Sequence, residues 1–277
     1  MANADRDESL DEVANDLRRL VIATLCHTQA GHPGGSLSAA EILTALFFSV
    51  MRIDPERPEW EERDRFILSK GHAAPVYYAA LTRRGFFPEE LLKTYDELDS
   101  LLQAHPDMRC PGVDMSSGSL GQGLSVGLGM ALGAGLSGLD SRVFVLLGDG
   151  ELQEGQVWEA AMAAAKFDAA NLVAIVDDNR VQLMGDTADV MPIEPLAAKW
   201  RAFNWQVIEV DGHDVNALVG ACAAAARETS RPTVILARTV KGKGVSFMEN
   251  THKWHCAPVS EDLKEKALAE LRTWEVR

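Results

Sequence analysis

The stretch of sequence that decides the fold is Arg142-Val143-Phe144-Val145-Leu146-Leu147-Gly148-Asp149-Gly150. Its continuous apolar run is typical of a strand buried on both faces of a parallel sheet, and Gly148-Asp149-Gly150 ends it abruptly. A helical pattern follows over residues 151–167, and a second apolar run, residues 172–176, ends in Asp177-Asp178-Asn179. Strand, helix and strand in this order predict a right-handed βαβ crossover.

The rest of the chain extends this pattern to a larger α/β domain. Further strands are predicted at residues 206–210 and 233–237, with an alanine-rich helix at 216–228 between them. Helical spacing over 10–28 and 38–51 predicts surface helices with one buried stripe each, and Ser38 with Glu41 has the pattern of a capping box. The segment Gly31–Ser36 between them is predicted to be a loop.

The chain end and the lack of linkers complete the predicted architecture. Residues 260–277 predict a charged helix with an apolar stripe formed by Leu263, Ala267, Leu268 and Leu271. No repeat or linker marks a domain boundary. We therefore expect one α/β domain over residues 1–277, with a parallel sheet covered by helices on both faces.

Composition excludes several classes of partner. The formal net charge of −14 disfavours binding to nucleic acid or anionic membrane surfaces. The four cysteines are widely spaced, which argues against a zinc site and suits a reduced cytoplasmic protein, and the acidic N-terminus is unlike a secretory signal. Residues 121–139 lack charge, but their many glycines indicate a tightly packed helix rather than a membrane span.

Acidic and amide side chains follow both strands of the crossover, at the edge of a parallel sheet where ligands bind. Asp149 and Asn179 could share one Mg²⁺ or Ca²⁺, completed by a backbone carbonyl and two phosphate oxygens, while Gly148 and Gly150 would let a diphosphate approach the backbone. For an isolated Gly-Asp-Gly, simple capping of the next element is the commoner role. The spacing favours a ligand site, since 27 residues (151 to 177) lie between Gly150 and Asp178.

The chain resembles the N-terminal, thiamine-diphosphate-binding domain of transketolases over nearly its whole length. The motifs that carry the resemblance occur in the family's order and are Gly31-His32-Pro33-Gly34, Ser69-Lys70-Gly71-His72, His105-Pro106, Gly118-Ser119-Leu120-Gly121-Gln122-Gly123, Gly148-Asp149-Gly150, Asp177-Asp178-Asn179 and His255-Cys256-Ala257-Pro258. The histidine motifs distinguish transketolases from other thiamine-dependent enzymes.

The resemblance implies a role for each matching position. Metal ligands would be Asp149, Asn179 and the main-chain carbonyl of Val181. The cofactor would contact a set of residues comprising His72, Gly118, Ser119, Leu120, Gly148, Asp149, Gly150, Glu154, Asn179 and His255. Catalytic histidines would be His32, His72, His105 and His255, whose imidazoles suit proton transfer near neutral pH. Glu154 would lie at a subunit contact, and Ser119 departs from the family's usual proline.

The three remaining histidines fall outside this catalytic set. His27 and His213 are predicted to be structural, since a lone histidine more often has that role. His252 lies within the family's loop before His255.

The resemblance also implies a partner, because the domain that helps to activate thiamine in this family has no counterpart in these 277 residues. The arrangement is similar to split bacterial transketolases, in which the N- and C-terminal halves are separate subunits, and an α2β2 assembly acting on sugar phosphates is expected. The expected reaction is two-carbon ketol transfer from a ketose phosphate to an aldose phosphate.

Several alternatives remain beside this expectation. A non-standard ketose in a specialised pathway would use the same residues. The α subunit of a 2-oxo acid dehydrogenase also presents Gly-Asp-Gly and asparagine to a diphosphate, but the loops around His32, His72 and His255 argue against it. Deoxyxylulose-phosphate synthase is a further alternative, but that enzyme is a longer single chain. A dinucleotide dehydrogenase does not fit the glycine spacing from Gly121. A silent binding subunit would predict loss of the metal ligands or histidines, but all of them are present.

Overall fold

A computed structural model describes residues 8–272 of the chain. Its centre is a sheet of five parallel strands in the order β1-β2-β3-β7-β6. The strand bounds are β1 Arg65–Leu68, β2 Val143–Gly148, β3 Leu172–Asp178, β6 Gln206–Asp211 and β7 Thr233–Arg238. A small antiparallel hairpin, β4 Val181–Gln182 and β5 Gly185–Asp186, follows β3. The predicted parallel sheet and its crossover are confirmed.

Helices cover both faces of the sheet, as predicted. The α-helices are α1 Leu10–Thr28, α2 Pro33–Ser38, α3 Ala40–Ala45, α4 Ala74–Arg84, α5 Gly123–Leu136, α6 Gly155–Lys166, α7 Thr187–Val190, α8 Leu196–Ala202, α9 Val215–Arg227 and α10 Glu261–Arg272. Short 3-10 turns lie at Gly71–Ala73, Glu89–Thr94, Gly150–Gln153 and His252–Trp254, and a π-turn at Leu46–Val50. Within residues 8–272, no helix combines the length and apolarity that crossing a membrane requires.

The hydrophobic core has one part on each face because side chains alternate along the strands. Phe144 and Leu146 of β2 face a cluster that includes α1, α3, α4, α9 and α10. Val145 and Leu147 face the other cluster, which includes α5, α6 and α8. Because helices cover both faces, every residue of β2 and β3 is buried, and this accounts for their uninterrupted apolar sequence.

Three local predictions are wrong. Residues 38–51 do not form one amphipathic surface helix, because α3 is buried on all sides and the chain continues into the π-turn. The Ser38 hydroxyl donates to Asp177 (2.6 Å) instead of capping, and Glu41 pairs with Arg18. Part of the predicted Gly31–Ser36 loop is helical from Pro33 onward. Buried polar partners elsewhere in the fold therefore decide the structure of this segment.

Other boundaries differ less. Strand β1 is not predicted by the sequence, since its four residues lie between a charged segment and a glycine motif. The helix after β2 starts at Gly155 and is preceded by a 3-10 turn that begins at Gly150. The apolar stripe of α10 packs against the core as expected, while residues 273–277 of the predicted helix lie outside the described residues.

The glycines of α5 allow it to pack closely against the sheet. A Cβ atom on Gly127 would lie 2.5 Å from Cγ2 of Val145 in β2, and one on Gly123 would lie 2.3 Å from Oγ of Ser69. Gly129 has open space at the same position. The charge-free segment is thus a helix seated on the sheet, as the sequence predicts.

We expect Gly127→Ala to destabilise the chain by about 1–3 kcal/mol, because the β-branched Val145 side chain cannot yield without moving β2. Gly129→Ala is the matched control and should be neutral or stabilising by about 0.5–1 kcal/mol, since alanine favours a helix over glycine. Chemical denaturation measures both. Equal effects of the two substitutions would contradict close packing at Gly127.

Candidate active site

The site forms at the carboxyl edge of the sheet, where the segments after β1, β2, β3 and β7 meet. Lys70 follows β1, Asp149 follows β2, Asn179 follows β3, and Lys241 lies shortly after β7. All strands of this sheet are parallel, so the segments that follow them emerge on the same side. Each segment brings polar groups that secondary-structure hydrogen bonds leave unused.

Asp177, the penultimate residue of β3, organises the buried part of this edge. Its side chain has no solvent exposure and forms an ion pair with Nζ of Lys70, which is 1% exposed. The same carboxylate accepts hydrogen bonds from the hydroxyls of Ser38 (2.6 Å) and Thr239 and from Nδ2 of Asn179 (3.3 Å). Although burial alone would raise the pKa of Asp177, Lys70 and the hydroxyl donors lower it.

The predicted cation ligands lie side by side above this ion pair. Oδ1 of Asp149 accepts from the backbone N–H of Gly150 (2.7 Å), and Oδ2 accepts from the N–H of Arg180. Oδ1 of Asn179 accepts from the N–H of Val181 (3.0 Å), while its Nδ2 faces Asp177. The carbonyl oxygen of Val181 accepts from Nζ of Lys241 (2.7 Å). The segments after the two strands thus bring together three oxygen atoms that could serve as metal ligands.

These residues fit a divalent cation with a phosphate ligand. Burial, together with the charges of Asp177 and Asp178, raises the pKa of Asp149 to about 7, and a bound cation would relieve this cost. Among the described residues, no group of three or more histidine, cysteine, aspartate or glutamate side chains could hold a metal ion. A metal at this edge would therefore need amide, carbonyl and phosphate oxygens, which are ligands that Mg²⁺ accepts.

The space beside Gly150 also contains an unsatisfied polar atom. A Cβ atom on Gly150 would approach Cβ of Gln182 to 3.0 Å, so a larger residue would crowd this place. Oε1 of Gln182 is buried and has no hydrogen-bond partner among the described residues. Gly148, in contrast, would place a Cβ no closer than 3.7 Å to Lys70. Of the two glycines, Gly150 is the one whose lack of a side chain keeps space open beside the predicted ligands.

The four predicted active-site histidines form one cluster. The ring of His32 lies 5.4 Å from that of His72, 6.3 Å from that of His105 and 5.6 Å from that of His255, measured between centroids. The rings of His72 and His255 stack at 4.9 Å. Nδ1 of His32 is buried without a hydrogen-bond partner in the described part of the chain. Four loops far apart in sequence therefore converge on one imidazole-lined surface.

The cluster favours neutral imidazoles. Burial, with the nearby His105 and Lys241, lowers the pKa of His32 to about 4. Burial and Lys241 lower the pKa of His255 to about 3, and burial and Lys70 hold the pKa of His72 well below its usual value. Neutral imidazole carries one donor and one acceptor nitrogen, so these three rings can form hydrogen bonds with a substrate hydroxyl or carbonyl.

Lys241 connects the cation ligands to the histidines. Its Nζ lies 2.7 Å from the carbonyl oxygen of Val181 and 2.9 Å from Nδ1 of His255. Burial and the charge of Lys70 lower the pKa of Lys241 to about 8. Two buried ammonium groups, those of Lys70 and Lys241, thus lie close to the predicted diphosphate site.

The loop Gly118-Ser119-Leu120 lies on the rim of this cluster. Gly118 has a φ of +139°, and a Cβ there would approach the ring of His105 to 3.2 Å. Both Ser119 and Leu120 are exposed. Behind the loop, buried Glu151 accepts from the N–H groups of Gly121 (2.8 Å) and Gly148 (3.0 Å) and from the hydroxyl of Ser69. Glu151 therefore joins the loop to the Gly-Asp-Gly turn.

Glu154 lies on the surface beside Gly121. It precedes α6, is exposed, and packs beside Gly121, where a Cβ would lie 2.8 Å from Cβ of Glu154. Its position on the outer surface suits contact with another chain, and its predicted role stays a prediction.

The family model for the transketolase, thiamine diphosphate binding domain matches residues 9–274. The chain belongs to the transketolase family. This membership confirms the predicted resemblance and favours a transketolase over the 2-oxo acid dehydrogenase alternative. It also identifies the chain as a thiamine-diphosphate-binding domain.

Relatives of the same length are named as enzyme subunits. The 6-deoxy-6-sulfo-D-fructose transketolase subunit of Clostridium sp. is 44% identical over 269 residues, covering 97% of this chain and 98% of the relative. One of the apulose-4-phosphate transketolase subunits, from Phocaeicola vulgatus, is 39% identical, covering 95% of this chain and 94% of the relative. These matches confirm the prediction of a transketolase subunit of the split type.

Solved transketolases share the fold but are much longer. A transketolase variant from Pichia stipitis in complex with fructose 6-phosphate superposes with a TM-score of 0.91 at 32% identity, covering 96% of this chain. The chain corresponds to 41% of that protein.

Sequence patterns do not reveal the buried charged groups that support the site. Lys70 lies within a family motif but receives no role from it, Lys241 and Asp177 receive none either, and Glu151 has the pattern of a helix start. One signal is present: each of these residues follows or ends a strand at the same edge of the sheet, which is the rule that identifies Asp149 and Asn179.

We expect Lys70→Met to lower the free energy of unfolding by about 3–5 kcal/mol, because it leaves the carboxylate of Asp177 buried without its cation. The double variant Lys70→Met/Asp177→Asn should recover part of this loss, since no charge then remains buried. Lys266→Met, at an exposed lysine, is the control and should be neutral within about 0.5 kcal/mol. A neutral Lys70→Met would contradict the ion pair.

The histidine cluster should make the chain less stable in mild acid. The folded state lowers the pKa of His32 and His255 relative to the unfolded chain. Their contribution to the free energy of unfolding is therefore fully present above about pH 6.5 and is lost as the pH falls toward 4. Asp149, whose pKa is raised, acts in the opposite sense, so the comparison must be made between variants.

We expect the double variant His32→Asn/His255→Asn to lose less stability than the wild type between pH 7.5 and pH 5. Denaturant titrations at the two pH values measure the difference. Exposed His252→Asn serves as the control and should keep the wild-type dependence. Parallel pH dependence of the double variant and the wild type would contradict buried neutral imidazoles.

Proposed function

We propose that this chain is the diphosphate-binding subunit of a two-chain transketolase that transfers a two-carbon ketol unit from a ketose phosphate to an aldose phosphate. The observation that carries the proposal is the convergence of His32, His72, His105 and His255 beside the oxygen donors at the ends of β2 and β3. Family membership over residues 9–274 supports the same reaction class.

Thiamine diphosphate, when bound, supplies the carbon nucleophile that lets a ketose release a two-carbon unit. In this chain, the oxygens of Asp149, Asn179 and Val181 would hold Mg²⁺ or Ca²⁺, which in turn holds the diphosphate. Gly150 and Gly148 would admit the phosphates. The ammonium group of Lys241 would balance part of their charge, and the loop Gly118-Ser119-Leu120, with His72, would line the rest of the cofactor.

The histidines would manage protons on the sugar. Their low pKa values keep His32 and His255 neutral, so each ring can accept a hydrogen bond from a hydroxyl or donate one to an oxygen that gains charge. Nδ1 of His32 has no partner among residues 8–272 and is therefore free to meet a substrate group. His105 lies at the rim, next to Gly118.

The reaction requires a second chain, in this proposal a C-terminal subunit that completes the cofactor site. The subunit names of the relatives from Clostridium and Phocaeicola support such a partner. We propose an α2β2 assembly in the cytoplasm, with residues 1–277 as one diphosphate-binding domain and with exposed Glu154 at a contact between subunits. No nucleic acid or membrane partner is proposed.

Sugar phosphates of the pentose phosphate type are the first substrates to test. A second candidate is a non-standard ketose, which the names of the two relatives favour, since one is named for 6-deoxy-6-sulfo-D-fructose and the other for apulose 4-phosphate. Both candidates use the same residues of this chain, so substrate choice would depend on the partner chain.

The direct test is an activity assay with Mg²⁺ and thiamine diphosphate, using this chain alone, the candidate C-terminal partner alone, and the two together. Xylulose 5-phosphate with ribose 5-phosphate tests the first candidate, and 6-deoxy-6-sulfo-D-fructose and apulose 4-phosphate test the second. We expect activity only in the mixture. Activity of this chain alone would overturn the two-chain proposal, and a well-formed complex that binds cofactor but accepts none of these donors would overturn both substrate assignments.

The metal assignment predicts that Asp149→Ala weakens binding of thiamine diphosphate to the two-chain complex at least about tenfold in the presence of Mg²⁺, because it removes the only carboxylate proposed as a ligand. Asp168→Asn, at an exposed residue before β3 on the opposite edge of the sheet, is the matched control and should bind like the wild type. Isothermal titration calorimetry measures both. Unchanged binding in Asp149→Ala would place the metal elsewhere.

A further inference from the structure

His213, which follows β6, has its two ring nitrogens engaged in different hydrogen bonds. Nε2 accepts from the backbone N–H of Val240 (2.8 Å), and Nδ1 lies 3.0 Å from Oε2 of Glu41. Because the amide of Val240 can only donate, Nε2 must be the acceptor and Nδ1 must carry the proton that points to Glu41. The ring is therefore held in one tautomer and one orientation.

Glu41 is itself fixed from a third element. Nη2 of Arg18 in α1 donates to Oε2 of Glu41 (2.6 Å), and Nε of Arg18 donates to the carbonyl oxygen of Leu37 (3.2 Å). The side chains of Arg18 and Glu41 are almost fully buried, at 4% and 7% exposure. A buried charged group that receives two directed hydrogen bonds is held more firmly than an exposed one. Arg18, Glu41 and His213 thus form a continuous chain of contacts that ends at Val240.

The next residue along the chain is Lys241, which contacts both halves of the candidate active site. The bond from Val240 to His213 fixes the peptide group before Val240, and the bond from the N–H of Gly242 to the carbonyl of Gly34 (3.0 Å) fixes the peptide group before Gly242. Lys241 lies between these two anchors. Its Nζ lies 2.7 Å from the carbonyl oxygen of Val181 and 2.9 Å from Nδ1 of His255.

We propose that His213 is a positioning residue that sets the place of the Lys241 ammonium group at the cofactor site, through its hydrogen bond to the backbone N–H of Val240. The proposal rests on the proposed function, because it assigns Lys241 a use in holding the diphosphate. His213, for which the sequence predicts a structural role, acts in this account through Val240 and touches neither cofactor nor substrate. Its groove, formed by the ends of β6 and β7, leaves the ring 13% exposed.

Two substitutions at His213 separate the two hydrogen bonds. In His213→Asn, the side-chain amide group lies near the position of Nδ1 and can still contact Glu41. This side chain is too short to reach the backbone N–H of Val240. The longer His213→Gln places its amide oxygen near Nε2 and can still accept from Val240, at the loss of the bond to Glu41. A purely structural role would make the two variants equivalent at equal loss of stability.

The first measurement is hydrogen exchange by mass spectrometry on this chain alone, with unfolding free energies measured in parallel. We expect exchange of the peptide containing residues 240–242 to become about three- to tenfold faster in His213→Asn, the equivalent of one lost hydrogen bond, and to stay near the wild-type rate in His213→Gln. Unchanged exchange in His213→Asn, or the same change in both variants, would overturn the positioning role.

The second measurement is the affinity of the assembled two-chain enzyme for thiamine diphosphate with Mg²⁺. We expect His213→Asn to bind about three- to tenfold more weakly and His213→Gln to bind within about twofold of the wild type. Wild-type affinity in His213→Asn despite faster exchange would overturn the link from Lys241 to the cofactor. Failure of the wild type to bind the cofactor would instead overturn the proposed function, and the exchange result on the single chain would be unaffected.

Discussion

The ion pair between Lys70 and Asp177 is the interaction on which the carboxyl edge of the sheet depends. Both side chains are buried, and a lone charge in this position would cost several kcal/mol, so neither residue is tolerable without the other. The carboxylate of Asp177 also accepts hydrogen bonds from Ser38 and Thr239, which come from two other segments of the chain, and from the neighbouring Asn179. One carboxylate thus fixes the relative positions of the Gly-His-Pro-Gly segment, β1, β3 and the segment after β7.

This arrangement explains how a site can be held before any ligand arrives. Asn179 donates its amide N–H to Asp177, which leaves its oxygen on the side of Asp149 and Val181. Lys241, fixed between His213 and Gly34, brings a second ammonium group to the same place. Because Lys70 is already paired with Asp177, a divalent cation and the ammonium group of Lys241 are left to match the charge of a diphosphate, while the neutral imidazoles next to them suit an uncharged part of a sugar.

The sequence predicts the sheet, the crossover and the site edge because each depends on a local and repetitive pattern. Apolar runs at 142–147 and 172–176 are typical of central strands, and a carboxylate or amide directly after such strands lies at the ligand-binding edge. The four histidines required the family motifs, because their loops are far apart in the chain and no periodic pattern joins them.

These patterns do not predict which buried polar groups pair with each other. Ser38 and Glu41 have the spacing of a capping box, but their actual partners, Asp177 and Arg18, lie at distant positions in sequence. In the sequence, Lys70 and Lys241 cannot be told from exposed lysines, but the fold buries both. The energetic reason is the same in each case: a buried charge must find a partner, and the partner is chosen by the tertiary fold.

A crystal structure of the two-chain complex with thiamine diphosphate, grown with Mn²⁺ in place of Mg²⁺, would test the central claim most directly. The anomalous signal of the metal locates it without reference to the protein coordinates. We expect one strong peak at about 2.0–2.3 Å from oxygens of Asp149, Asn179 and Val181, with phosphate oxygens completing the shell. A metal bound at other residues, or a diphosphate bound away from Gly150, would contradict the account.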